Sequence, residues 1–178
     1  MRSNETTRYT YTAMLLHWLI ALLVFALFAI GWSMVDLPRG PDRTYSFALH
    51  KSIGLTVLEL ALVRIGWRVF HRPPPYPESM PRWRVTLARS VHLLFYFLLF
   101  LQPVSGYLSS SFSGYSTKVF GVPLPAWGWR DPPLNEFFTE IHVMSSVLFL
   151  LLIGLHVAGA VSHLFDRDEG ILRRILPW

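Results

Sequence analysis

The chain has 178 residues, of which 52% are hydrophobic, with a mean hydropathy of +0.38, no cysteine and a formal charge of +5. The length predicts one domain over residues 1–178. The apolar residues gather into long uncharged runs, which predicts an all-α integral membrane protein. The lack of cysteine excludes disulfides, iron–sulfur clusters and thioether-linked haem.

Ala13 to Val35 holds no Asp, Glu, Lys or Arg. At ~1.5 Å per residue it is long enough to cross ~30 Å of hydrocarbon. It is too long for a signal peptide, and no small-residue cleavage site follows it. Leu37-Pro38-Arg39-Gly40-Pro41-Asp42 ends this first span. A second span is predicted from about Phe47 to Phe70, interrupted by His50, Lys51, Glu59 and Arg64. The segment His71-Arg72-Pro73-Pro74-Pro75-Tyr76-Pro77 cannot continue a helix and reads as an extended loop. A third span runs from about Thr86 to Ser109. Ser110 to Pro133, rich in Gly, Pro, Ser and Trp, reads as a structured loop. A fourth span, from about Asn135 to Phe165, exceeds the bilayer thickness and is expected to tilt or project.

The basic residues are split unevenly by these spans. Arg2, Arg8, Arg64, Arg68, Arg72, Arg82, Arg84, Arg89, Arg167, Arg173 and Arg174 fall on the side of the termini. Arg39, Arg43, Lys51, Lys118 and Arg130 fall on the other, the trans side, against Asp36, Asp42, Asp131, Glu136 and Glu140. The asymmetry predicts cytoplasmic termini in a multi-pass inner-membrane protein. The positive charge is thus a topology signal, and no nucleic-acid partner is expected. The trans side is close to neutral, so it does not steer anions strongly.

Six of the seven histidines lie in or at the ends of the apolar spans, where ionisable groups are costly and mark function. A single helix histidine is more often a hydrogen-bonding residue than a ligand, but several at matched depths are another matter. His17 lies near the cytoplasmic end of span one. His50 and His142 lie near the trans ends of spans two and four. His156 follows His142 by fourteen residues, which is ~21 Å along the axis and within ~40° of four full turns. His50 can therefore meet His142 in the trans half, and His17 can meet His156 in the cytoplasmic half. Two stacked bis-histidine pairs are the arrangement for two haems b and a path for electrons across the bilayer.

Small residues at Ala21, Gly54, Ser146 and Ala160, each four after a candidate ligand, leave room for a flat macrocycle, although small residues also serve close helix packing. Arg64, fourteen residues after His50, is placed to pair with a haem propionate near the cytoplasmic surface, the plainer reading being a snorkelling arginine. Lys51 and Arg43 are similar candidates on the trans side. His163, seven residues after His156, is placed to hydrogen-bond a quinone carbonyl and deliver a proton. Bulky Tyr96 four residues after His92 sets that histidine apart. His71 reads as solvated. Neither His92 nor Glu59 acquires a role.

These residues carry a family resemblance. Leu16-His17-Trp18, His50-Lys51-Ser52-Ile53-Gly54, His92-Leu93-Leu94-Phe95-Tyr96 with Gln102-Pro103-Val104-Ser105-Gly106, His142, and Gly154-Leu155-His156-Val157-Ala158-Gly159-Ala160 with His163 follow in order over nearly the whole chain. The chain resembles the bacterial di-haem cytochrome b561 family. More distantly it is similar to the cytochrome b subunits of nickel–iron hydrogenases and formate dehydrogenases. The resemblance implies an integral membrane four-helix bundle with two haems b, held by His17 with His156 and by His50 with His142. It implies electron transfer between a donor and the quinone pool. Small stand-alone members include superoxide:ubiquinone oxidoreductases, which would put superoxide on the trans side and ubiquinone near His163.

The compact chain favours a stand-alone quinone oxidoreductase. A cytochrome b subunit that docks a periplasmic dehydrogenase or hydrogenase is the alternative, with Phe112 to Pro133 and its Trp127 and Trp129 as docking surface. A non-redox metal or proton transporter would use the histidines differently, but the chain lacks the cysteine and the carboxylate cluster such transport draws on.

Overall fold

The computed structural model describes residues 8–163 and 170–176. Among these residues the chain forms five helices, α1 (Tyr11–Asp36), α2 (Pro41–Phe70), α3 (Arg82–Phe112), α4 (Pro132–Ser162) and α5 (Gly170–Arg173), and one two-stranded ribbon, β1 (Lys118–Val119) with β2 (Val122–Pro123). Of the basic residues used to orient the chain, Arg2 and Arg167 lie outside the described residues, as does Phe165, the predicted end of span four.

The helix ends follow from local chemistry. Thr10 caps α1 by accepting from the Ala13 backbone N–H at 3.3 Å. Asp131 caps α4 by accepting from the Leu134 N–H at 3.1 Å, with proline in the first turn. α2 begins at Pro41, six residues before the expected Phe47, because Pro41 is tolerated in a first turn, where its missing N–H costs nothing. α4 ends at Ser162 with His163 as its C-cap.

α1 packs on α2, α2 on α3 and α3 on α4. α4 returns to α1 through Phe28 and Phe149, whose ring centroids are 6.2 Å apart. Ile20, Val24, Val57, Ala61, Leu98 and Phe149 belong to the shared core. The outer faces are apolar too: Leu15, Leu22, Met144 and Leu151 are each at least 67% exposed. An apolar exterior of this extent calls for a lipid environment.

α1, α3 and α4 are long and apolar enough to cross a membrane. α2 has the length but not the composition, since Asp42, Arg43, Lys51, Glu59, Arg64 and Arg68 interrupt it. Some of these charges are occupied within the protein. Lys51 donates to the Ser110 hydroxyl at 2.6 Å, and Arg64 donates to the Ala13 carbonyl at 2.5 Å. Glu59 is exposed.

The elements rich in arginine gather at one end. Tyr9 N–H donates to the Arg174 carbonyl at 3.1 Å, the Trp18 indole to the Ile175 carbonyl at 3.0 Å, and Arg174 to the Pro75 carbonyl at 2.6 Å. The start of α1, the proline loop and the segment around α5 are thereby tied together. At the opposite end the β-ribbon is fastened to α2, because Ser52 Oγ accepts from Phe120 N–H at 3.0 Å. The ribbon turns through Phe120 (φ 47°) and Gly121 (φ 90°), which pairs Val119 with Val122.

Candidate functional site

The depth argument predicts two histidine pairs, and both meetings occur. His17 on α1 faces His156 on α4 with ring centroids 6.2 Å apart. His50 on α2 faces His142 on α4 with centroids 6.1 Å apart. Two imidazoles sharing one metal through nitrogens at ~2 Å, with ring centres about 1 Å further out, have centroids about 6 Å apart. Both pairs match that spacing. Phe28, Phe149 and Leu152 belong to the apolar layer between them.

The His50–His142 pair is closely supported. His142 Nδ1 lies 2.9 Å from the backbone carbonyl of Gln102, which can only accept. His142 must then carry its proton on Nδ1, which leaves the Nε2 lone pair free for a metal. The Gln102 side-chain amide donates back to the His142 carbonyl at 3.0 Å and to Ser145 Oγ at 2.7 Å. A Cβ added at Gly106 would lie 3.1 Å from His142 Nδ1, and one at Gly31 would lie 3.2 Å from His50 Cε1. Both glycines let a neighbouring helix close onto a ring. His50 Nδ1 is buried, and the Leu27 backbone is the ring's hydrogen-bonding neighbour. Gly54 has nothing within 4 Å of an added Cβ, so the space one turn from His50 is open.

The His17–His156 pair has a neighbour the spacing argument passed over. His92 on α3 packs edge-on to His156 with centroids 5.3 Å apart. Phe95 does the same at 5.4 Å and also touches Phe149 at 5.7 Å. Arg64, bonded to Ala13 one turn before His17, lies at the same level. Nothing in helical spacing marks His92, because its partner is on another helix.

The other candidates fall as follows. Arg43 donates to the Val35 and Leu37 carbonyls at 3.2 and 2.7 Å and closes the end of α1. His71 is exposed, stacked on Trp67 at 3.9 Å. His163 is half-buried at the end of α4. A cavity of about 590 Å³ opens beneath the proline loop, lined by Arg68, Tyr76, Arg89, His92, Leu93 and Tyr96 together with the three prolines.

Residues 8–178 match the family model for prokaryotic cytochrome b561. The chain belongs to the prokaryotic cytochrome b561 family. Among similar proteins, cytochrome b561 homolog 2 of Escherichia coli (strain K12) is 34% identical over 98% of this chain and 94% of its own length. The probable superoxide oxidase CybB of Yersinia pestis is 27% identical over 91% and 92%. Cytochrome b562 of Cereibacter sphaeroides is 28% identical over 94% of each. This cytochrome b561 is therefore a haem-b membrane electron-transfer protein and an oxidoreductase of its family.

Proposed function

We propose that the chain is a single-domain bundle of four transmembrane helices, α2 being the fourth. It carries two haems b and passes electrons from a trans-side donor to the quinone pool. The observation that carries this reading is the pair of facing histidines at each of two depths, with ring separations of 6.2 and 6.1 Å. The arginine distribution supports an inner-membrane protein with both termini in the cytoplasm.

His17 with His156, and His50 with His142, would hold the two irons. Each haem, when bound, supplies a one-electron couple. The chain supplies the rest. Gln102 fixes the tautomer and orientation of His142, and Gly31 and Gly106 admit the neighbouring rings. Arg64 is at the level of His17 to neutralise a propionate. Val57 and Leu98, each at most 2% exposed, keep water from the layer between the pairs. Among the described residues, no group of three or more His, Cys, Asp or Glu is disposed to hold a bare metal ion. That favours a metal that arrives with its own macrocycle over the transport reading.

Ubiquinone is the proposed acceptor, at the cytoplasmic end where His163 closes α4 and can pass protons. The name of the Yersinia relative supports superoxide as donor to the trans pair. A second reading, a cytochrome b subunit docked on a periplasmic dehydrogenase or hydrogenase, rests on Trp127 and Trp129, 74% and 73% exposed in the trans loop. Co-purification of a second polypeptide would favour it.

The deciding experiment is a reduced-minus-oxidised visible spectrum of the purified protein, with haem extracted and counted per chain. Sharp low-spin b-type bands and two haems per chain are expected. A colourless protein from haem-replete cells would overturn the redox reading and leave transport as the leading one.

A further inference from the structure

From the cavity beneath the proline loop we infer that the quinone head group is seated against α3, between the loop and His92, and not against the end of α4. This inference rests on the quinone reading above.

The space is suitable. Its volume of about 590 Å³ lies within the ~300–1,000 Å³ usual for small-molecule sites. Its inner end is His92, whose ring touches that of His156, so an occupant sits one side chain away from a proposed haem ligand. A small adjoining cavity of about 20 Å³ shares Arg68, Pro73 and Tyr96 with it and runs towards Arg64.

The lining suits a ligand whose polar atoms are acceptors. Arg68, Arg89 and Tyr76 all donate, and no carboxylate is among the described lining residues. Burial pushes the Tyr76 phenol up from its ordinary range, so it remains protonated and able to donate. The carbonyl and methoxy oxygens of a ubiquinone head accept, and its flat ring matches the aromatic faces of Tyr76 and Tyr96. Arg89 lies over the Tyr76 ring at 5.7 Å and Arg68 over the Tyr96 ring at 6.0 Å, so both cations are held at the wall. The roof is held from outside by the bond from Arg174 to the Pro75 carbonyl.

The mouth suits an isoprenoid. Leu93 lines the cavity and is 70% exposed. Phe97 and Phe100, four and seven residues further along α3, are 57% and 53% exposed. Residues at this spacing share one helix face. An apolar strip thus runs from the cavity down the outside of α3 towards the membrane centre, where a soluble anion would have no use for it. His163 lines neither cavity, so it is left with proton entry and not with head-group contact.

The test is titration of the full, haem-loaded protein with decylubiquinone, following binding by calorimetry, for wild type, Leu93→Trp, Arg89→Gln and His163→Ala. Leu93 is exposed, so filling the mouth from that position does not burden folding. Leu93→Trp and Arg89→Gln are expected to weaken binding about tenfold or more, the scale of one lost charge-assisted contact. Haem content and the reduced-minus-oxidised spectrum should stay unchanged, and His163→Ala should bind like wild type. Wild-type affinity in both cavity variants, or loss of binding in His163→Ala alone, would overturn the placement. Loss of haem from Arg89→Gln would assign the cavity to the rim of the cofactor and also overturn it. If wild type binds no decylubiquinone, the quinone reading itself fails, a result distinct from failure of the placement.

Discussion

His142 Nδ1 donates to the backbone carbonyl of Gln102 across the α3–α4 interface at 2.9 Å. The bond sets three things together: the tautomer of the imidazole, the direction of its free nitrogen, and the register of two helices. It sits where the helix is already altered. Pro103 follows Gln102 and lacks the N–H that would bond back along α3. Gly106, one turn on, leaves the gap the ring fills.

That gap is testable. Gly106→Val would place a side chain within about 3 Å of His142 Nδ1, given the 3.1 Å approach of its first carbon. The ring must turn or the helices must separate. Changes in the shell that orients a metal ligand typically cost ~10–100-fold in metal affinity. The expected outcome is a protein that loses haem from the His50–His142 position on gel filtration and keeps the other. Haem counted per chain before and after the column is the readout. Undiminished haem would mean that the close approach has no part in holding the ligand.

The two pairs should also be separable by direct substitution. His50→Ala and His142→Ala are each expected to give one haem per chain with the same residual spectrum. His17→Ala and His156→Ala should give the complementary spectrum. Full haem content in any one of these proteins would disprove that residue's assignment as ligand. His92→Ala should retain both haems, because its centroid lies only 5.3 Å from that of His156, too close for the two rings to face each other across one iron.

The pairing was legible in the sequence because one helix carries half of each pair. His142 and His156 share a helix face through the helical repeat, and the positions of His17 and His50 along their predicted spans put them at matching depths. The supporting residues were hidden for the opposite reason. Gln102, Gly106 and Gly31 act across helix interfaces, so no spacing within a span reveals them. For Gln102 and Gly106 the signal was compositional: glycine, serine and proline grouped within an apolar run in Gln102-Pro103-Val104-Ser105-Gly106. The same holds for His92, set aside for a bulky neighbour on its own helix while its contact lies on α4. The second span was the least readable, since Lys51 and Arg64 look out of place until Ser110 and the Ala13 carbonyl are seen to receive them.

The ribbon over the opposite end of the molecule is tied to α2 through the Ser52 hydroxyl. Ser52, two residues from His50 and 3% exposed, accepts from Phe120 N–H at 3.0 Å and donates to the Ala48 carbonyl at 2.8 Å. Ser52→Ala leaves the Phe120 donor without this partner, at a cost of ~1–3 kcal/mol where it stays buried. The ribbon should then open more often, and amide exchange at Phe120 should rise by roughly tenfold or more, at ~1.4 kcal/mol per factor of ten. Exchange in the core of α4 should not change. Equal exchange at Phe120 in both proteins would show that the β1–β2 pairing holds the ribbon unaided.

His163 separates proton delivery from quinone binding. It closes α4 seven residues beyond His156, and the cavity beneath the proline loop does not include it. Quinone reduction consumes two protons for two electrons, and a residue that supplies them acts on turnover without adding affinity. His163→Ala should therefore keep both haems and an unchanged visible spectrum, while steady-state quinone reduction falls by less than the ~10²-fold that an acid in contact with its substrate contributes. Stopped-flow reduction of the haems by an artificial donor should proceed at the wild-type rate, which confines the defect to the acceptor side. Imidazole added to the variant should restore part of the rate if the lost function is proton transfer, and none if the substitution has only disturbed the helix end. Unchanged quinone turnover would remove His163 from the mechanism.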